Sequence, residues 1–525
     1  MRRDLRAPLV RPANPFAHSP NRHGIATNRA VIGSLTWDFE NRSASTMDHS
    51  SPPAHHGLFV GRTIGPRRLG WIVGAGTLLA TAVLAVTLRP DRLARVAAGL
   101  AAHSLCSAVF VQGIEPGAAD REMVRPLLGF AWRLIDDRID RERRSVTASF
   151  AGVLSARADF TAGYGCRLDY SSNEPPPPPL APGAATPVDG FAPPHLVEAT
   201  DPAIGEALDR LFTQRPGEPI KDVKAVVVVS NGRVIAERYA PGFDIHTPVL
   251  SWSVAKSLTN AILGVLVRQG RLAIDQPVHA PEWRTPGDPR GAITIEQMLR
   301  MESGLDAGET GSGLDPVSRM EFSQSDMAGF AAQHPLRAPP GSTWEYTSAN
   351  TLILDRLLGQ TVGGGAMGMR TFARRELFDP LHMTDVTMEF DGKGIFVGSS
   401  FVFASARDFA RFGALYANDG LAPDGSRILP EGWVAWSHRS THGAPYGAGF
   451  WTNDGESRYA QWRIAHGFPK DGFFASGIQG QRIYIVPSKH LVIARFGYSQ
   501  GPDFGLEDDV FLIAAAIRST DGGNG

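Results

Sequence analysis

From about residue 195 onward, apolar runs alternate with turn-forming Gly, Pro, Asn and Asp. Residues 1–69, by contrast, are rich in Arg, Asn, Pro, Ser and His and carry few aliphatic clusters. Ala225–Ser230 and Arg233–Tyr239 are β-rich runs joined by Asn231-Gly232, a strong hairpin signal. After Pro248, Ala255, Leu258, Ile262, Val265 and Leu266 keep helical spacing, predicting a helix from about Val254 to Gln269 that Gly270 stops. Thr294 and Gln297 form a capping-box pattern for the next helix. Near the end, Gln481–Val486 and His490–Phe496 read as strands around a turn at Pro487-Ser-Lys489, and Asp509–Arg518 reads as a helix. Strands at both ends with helices between them predict an α+β fold. One antiparallel sheet, assembled from distant segments, is flanked by helices.

Upstream, residues 1–69 read as a disordered N-terminal region. Residues 70–88 are an uncharged apolar run of 19 residues, about enough to span a hydrocarbon core as a helix. Arginines flank it on both sides, which a buried soluble helix does not explain; the expectation is a signal anchor, or a signal peptide that is cleaved. Arg62, Arg67 and Arg68 are balanced by Arg89, Arg92 and Arg95, and only the further upstream arginines tip the N-terminus toward the cytoplasm. Residues 89–172 then form a membrane-proximal extension, 173–194 a stiff Pro-rich linker, and 195–525 the main domain.

The bulk numbers narrow the function. Net charge is −1 with balanced signs, so no basic face argues for nucleic acid. The two cysteines, Cys106 and Cys166, both follow the apolar run, and an even count in an exported chain invites a disulfide. Two free thiols remain the alternative. His438 and His442 lack an acidic or cysteine third ligand nearby, so no metal site is expected, and no cofactor.

Candidate chemistry starts with scarcity. Six lysines stand among 52 basic residues, and Lys256 follows Ser253 by three positions in Ser-Trp-Ser-Val-Ala-Lys. That spacing puts hydroxyl and amine on one helix face, and a desolvated lysine can give up its proton where an arginine cannot. Tyr346, in Tyr-Thr-Ser-Ala-Asn, precedes another helical stretch; beside an ammonium, its phenol is expected to hold a lowered pKa and shuttle a proton.

Ser-x-x-Lys at a helix start, Thr-Ile-Glu-Gln-Met-Leu, Tyr-x-Ser-Ala-Asn and Gly-x-x-Gly-Gln before a strand occur here in one order. The set resembles the class C β-lactamase-related serine hydrolases of the penicillin-recognising fold, over roughly residues 200–520. Gly398–Gly413 and Phe473–Gln481 are most similar to the 6-aminohexanoate-oligomer hydrolase and esterase branch. The resemblance implies an α/β sandwich type of α+β fold, with a mainly helical subdomain beside the sheet. It also implies a serine hydrolase that cleaves amides or esters through an acyl-enzyme on Ser253. Lys256 would act as its neutralised or proton-relaying base, Tyr346 as the general base and acid that passes the proton to the leaving group, and the backbone N–H groups of Ser253 and Ile478 as oxyanion hole. Ser348, Ser476 and Gly477 would contact a small-molecule substrate. The family's Lys-Thr-Gly is replaced by Ala475-Ser476-Gly477, which weakens the case for a carboxylate-bearing β-lactam unless Arg482 or Lys470 supplies the cation. A D-alanyl-D-alanine carboxypeptidase or penicillin-binding protein, a β-lactamase, and a non-catalytic scaffold of the same fold remain alternatives. The expected location is the bacterial inner membrane, single-pass through residues 70–88, with the catalytic domain periplasmic or outside the cell. A cleaved signal would make it secreted. The oligomeric state is left open.

Overall fold

The computed structural model describes residues 89–180, 190–501 and 503–522. The expected span at 70–88 and the region before it lie outside these residues.

Strands β1 (Ile135–Asp140), β2 (Ser145–Phe150), β3 (Leu154–Thr161) and β4 (Gly165–Leu168) form an antiparallel meander. The main sheet takes β5 (Val223–Ser230) and β6 (Arg233–Tyr239) from its N-terminal side. A small three-stranded sheet follows, from β7 (Pro248–Leu250), β8 (Thr387–Met388) and β9 (Val402–Ser405). The last four strands, β10 (Trp451–Thr452), β11 (Phe473–Gly477), β12 (Gln481–Val486) and β13 (Leu491–Gly497), complete the main sheet in the order β10-β11-β12-β13-β5-β6. Every pairing in it is antiparallel, and β13 joins β5, closing the expected union of distant segments. The fold is α+β.

The valine run of β5 is explained by burial on both faces. Val226 and Val228 pack with Ile204, Leu208, Ile493 and Leu512, under helices Pro202–Phe212 and Leu506–Gly522. Val227 and Val229 face the larger core with Leu258, Ile262, Phe409 and Ile483. Asn231 and Gly232 both have positive φ (49° and 73°), as the hairpin turn requires. The Thr294–Gln297 capping box is present at helix Ile295–Leu299.

Residues 90–168 are packed into the same core. Helix Pro90–Phe110 is long and apolar enough to cross a membrane, yet most of it is buried in the protein body. Its Leu100, Leu105 and Cys106 join the cluster that contains Leu258 and Ile262. The Cys106–Cys166 disulfide is formed, with the Cα atoms 6.0 Å apart, and staples this helix to β4. Glu389 holds the junction: it receives hydrogen bonds from Ser107 Oγ and the Cys166 N–H, each 2.8 Å, and lies 2.8 Å from His103 Nε2. The proline run lies along the surface, tied by Glu174 N–H to Gly392 O (2.7 Å) and Leu180 N–H to Ala162 O (3.0 Å).

Candidate active site

β7 delivers the chain to Ser251, whose N–H donates to Val402 O at 2.8 Å and whose hydroxyl reaches Ser400 O at 3.1 Å. A 3-10 turn over Trp252–Val254 follows, and the helix runs from Ala255 to Arg268, within a residue of its expected limits. This helix is buried on all sides through Leu266, so Lys256 keeps 2 % of its surface while Ser253 stays partly open. One helical turn brings Lys256 Nζ to 2.9 Å from Ser253 Oγ.

Two further partners fix the amine. Nζ lies 2.8 Å from Ser348 Oγ and 3.0 Å from Ser399 O. A neutral amine has two N–H donors and one lone pair. The Ser399 carbonyl can only accept, and Ser348 Oγ already donates to Glu309 Oε2 (2.8 Å). In the neutral form both donors are so committed and the lone pair is left for the Ser253 O–H; an ammonium would donate to all three. Burial pushes the Lys256 amine below the usual lysine range, while Glu309, Glu321 and Asp355 oppose that shift.

Tyr346 borders the same amine: Lys256 Nζ lies 5.0 Å from the centre of its ring, and Ser253 is among the groups that act on its phenol. Trp451 stacks on the phenol at 5.7 Å, and Tyr446 meets it edge-on at 5.5 Å. Here the sequence expectation needs correcting. The phenol is not acidified by its neighbour: enclosure and then the Glu309 carboxylate push its pKa well above 10, with Ser253 opposing. The Tyr346 phenol thus holds its proton more tightly than a free one.

Gly477, at the end of β11, lies against the Ser251–Ser253 turn. A Cβ there would stand 2.6 Å from Ser251 O and 3.0 Å from Ser253 N, so only glycine permits the approach. Ile478 follows with 39 % of its surface exposed. Its N–H is thus one residue from the point where the strand meets the Ser253 turn. Ser476 is half-buried and pairs across the register with Arg482. Arg482 is fully buried and engaged with Asp509 and the Asp503 carbonyl, so it is not the substitute cation the sequence left open. Lys470 is exposed, in the turn before β11.

Three acidic residues at this site escaped the sequence reading. Glu309 accepts from both the N–H and the hydroxyl of Ser348. Glu321 is pushed up to about 7, mainly by burial, and receives the hydroxyls of Ser399 and Ser400. Asp355 accepts from Thr259 Oγ1 (2.8 Å) and Gly398 N (2.9 Å), pinning the segment that presents Ser399 O. No motif marks them, because each is brought in by tertiary folding.

Residues 208–517 match the Beta-lactamase family. The chain belongs to that family. It is 27 % identical over 309 residues to the 6-aminohexanoate-dimer hydrolase of Paenarthrobacter ureafaciens, covering 55 % of this chain and 76 % of the relative. It is 25 % identical over 277 residues to penicillin-binding protein 4 of Amycolatopsis lactamdurans, covering 46 % and 70 %. A penicillin-binding protein homologue from Caulobacter crescentus superposes with a TM-score of 0.47 at 20 % identity, over 61 % of this chain and 98 % of that one. Members of the Beta-lactamase family are generally serine hydrolases. In this member, residues 90–168, with their disulfide and meander, lie outside the matched region.

Proposed function

We propose that the chain is a serine hydrolase that cleaves amide or ester bonds of small molecules through an acyl-enzyme on Ser253. The observation that carries this reading is the Lys256 amine: buried, 2.9 Å from Ser253 Oγ, with acceptors for its N–H groups on the far side. The Ser253 proton passes to the Lys256 lone pair as Oγ attacks the carbonyl carbon. The developing oxyanion is received by the N–H groups of Ser253 and Ile478, an arrangement that commonly contributes several kcal/mol. Tyr346 and Lys256 return the proton to the leaving nitrogen or oxygen, and the same groups then activate water for deacylation. Ser348 holds Lys256 in place.

Among the alternatives, an ester or linear-amide substrate is favoured over a β-lactam or a D-alanyl peptide. β11 offers Ala475-Ser476-Gly477 where a carboxylate-binding lysine stands in the class C enzymes, and Arg482 is turned to Asp509. The name of the Paenarthrobacter relative points the same way. The disulfide supports an exported location, and residues 70–88 supply the membrane tether or signal. Turnover by the wild type and by Ser253→Ala of p-nitrophenyl butyrate, linear and cyclic amides, D-alanyl-D-alanine peptides and nitrocefin tests the reading. Ser253-dependent turnover of the esters or linear amides is expected. Preferred turnover of D-peptides or nitrocefin would move the chain to the penicillin-binding or β-lactamase readings.

A further inference from the structure

Two non-glycine residues with positive φ bracket the candidate oxyanion hole. Trp252, φ 43°, immediately precedes Ser253, and Gln479, φ 61°, immediately follows Ile478. A bulky side chain in the left-handed region is a true outlier and persists only where its surroundings over-determine it. Here those surroundings include the other outlier. Trp252 Nε1 donates to Gln479 Oε1 at 3.2 Å, and Gln479 Nε2 donates to the carbonyl of Glu122 at 3.2 Å. An indole N–H can only donate and a carbonyl can only accept, so the two partners dictate which way the amide faces. Trp252 and Gln479 keep 5 % and 3 % of their surfaces. The Gln479 backbone carbonyl accepts from the Ser499 N–H (3.0 Å) and Arg495 Nη1 (3.3 Å).

Glu122 belongs to the helical stretch Asp120–Val124, far upstream of the family match at 208–517. Its carboxylate is 2.9 Å from Lys224 Nζ on β5, which anchors that stretch to the main sheet. The peptide carrying the Ser253 N–H is oriented by the backbone of Trp252, and the chain turns at Gln479 directly after Ile478. A single side-chain bond therefore ties together the two segments that present these donors, and residues 120–124 brace that bond from behind.

We propose that Trp252 and Gln479 are positioning residues that hold the Ser253 and Ile478 N–H groups in the arrangement that receives the oxyanion, with the Glu122 carbonyl as their outer support. The N-terminal extension is then a working part of the site, not a spacer. The proposal rests on the hydrolase reading above.

The test uses the full chain with Trp252→Phe, Gln479→Met and the double variant, assayed with p-nitrophenyl butyrate and with phenylboronic acid as a tetrahedral mimic. Each single variant should lower kcat at least five-fold with KM within three-fold of wild type, and weaken boronate binding by a similar factor. The double variant should be no worse than the poorer single, because both remove the same bond. A smaller fall in kcat, a loss confined to KM, or single effects that multiply in the double would overturn the proposal. Should Trp252→Phe fail to fold, Gln479→Met with the same kcat, KM and boronate readouts decides alone. Failure of the hydrolase reading is visible separately, as an absence of Ser253-dependent fluorophosphonate labelling in the wild-type chain.

Discussion

Lys256 Nζ sits 2.9 Å from Ser253 Oγ, and its other hydrogen-bond partners are the Ser348 hydroxyl and the Ser399 carbonyl. The amine is thus placed to take one proton and is enclosed on its other sides. Lys256→Met should lower kcat/KM by about 10³-fold, within the usual range for a removed general base. Lys256→Arg should not restore activity, because a guanidinium keeps its proton. The melting temperature of Lys256→Met should fall, since the buried Ser399 carbonyl and Ser348 hydroxyl lose the amine that serves them. Steady-state kinetics and thermal unfolding on the same preparations check both statements.

The lowered Lys256 pKa fixes the sign of the pH dependence. The neutral amine is the competent form, so kcat/KM should rise with pH through a pKa below that of a free lysine and then level off. Tyr346, held well above 10, stays protonated over that interval and should add no falling limb below about pH 10. A pH–rate profile with an acyl-transfer-limited substrate checks this. A flat profile from about pH 5 to 9 would remove Lys256 as the base.

Glu321 titrates in the opposite sense. Its folded pKa, about 7, lies above the unfolded value of 4.5, so the folded chain holds the extra proton between those values. Stability therefore falls as pH rises through that window. Glu321→Gln should remove the fall, gaining up to about 3 kcal/mol relative to wild type at pH 8 compared with pH 4. Urea unfolding at the two pH values reads the difference, and equal offsets at both would contradict the assignment.

The disulfide closes a sequence separation of 60 residues, for which loop-closure entropy gives about 4 kcal/mol. Cys106→Ser/Cys166→Ser should therefore melt earlier by several degrees. If the extension braces the site, it should also lose activity at temperatures where the main domain is still folded. Circular dichroism and activity followed along one temperature ramp separate the two effects.

What the sequence made legible was local. Asn231-Gly232, Thr294 with Gln297, and Ser253 with Lys256 each declare a turn, a cap or a shared helix face within four residues. Order along the chain, rather than spacing, brought Tyr346 to Ser253. Glu309, Glu321 and Asp355 stayed hidden because an isolated acidic residue has no periodicity, and its burial is decided by segments far away. The Tyr346 pKa came out in the other direction for the same reason: the sequence shows a lysine partner but not the burial, nor the nearby Glu309 carboxylate, that raise it. Helix Pro90–Phe110 is informative in another way. Its apolar length matches a membrane span, yet its faces are taken up by the core. Composition alone cannot separate those two environments.

The most direct test of the account is covalent labelling of the full chain with a fluorophosphonate, followed by intact mass and peptide mapping. One adduct per chain, on Ser253 and lost in Ser253→Ala, is the predicted result. An adduct on another residue, or undiminished labelling of the alanine variant, would contradict it.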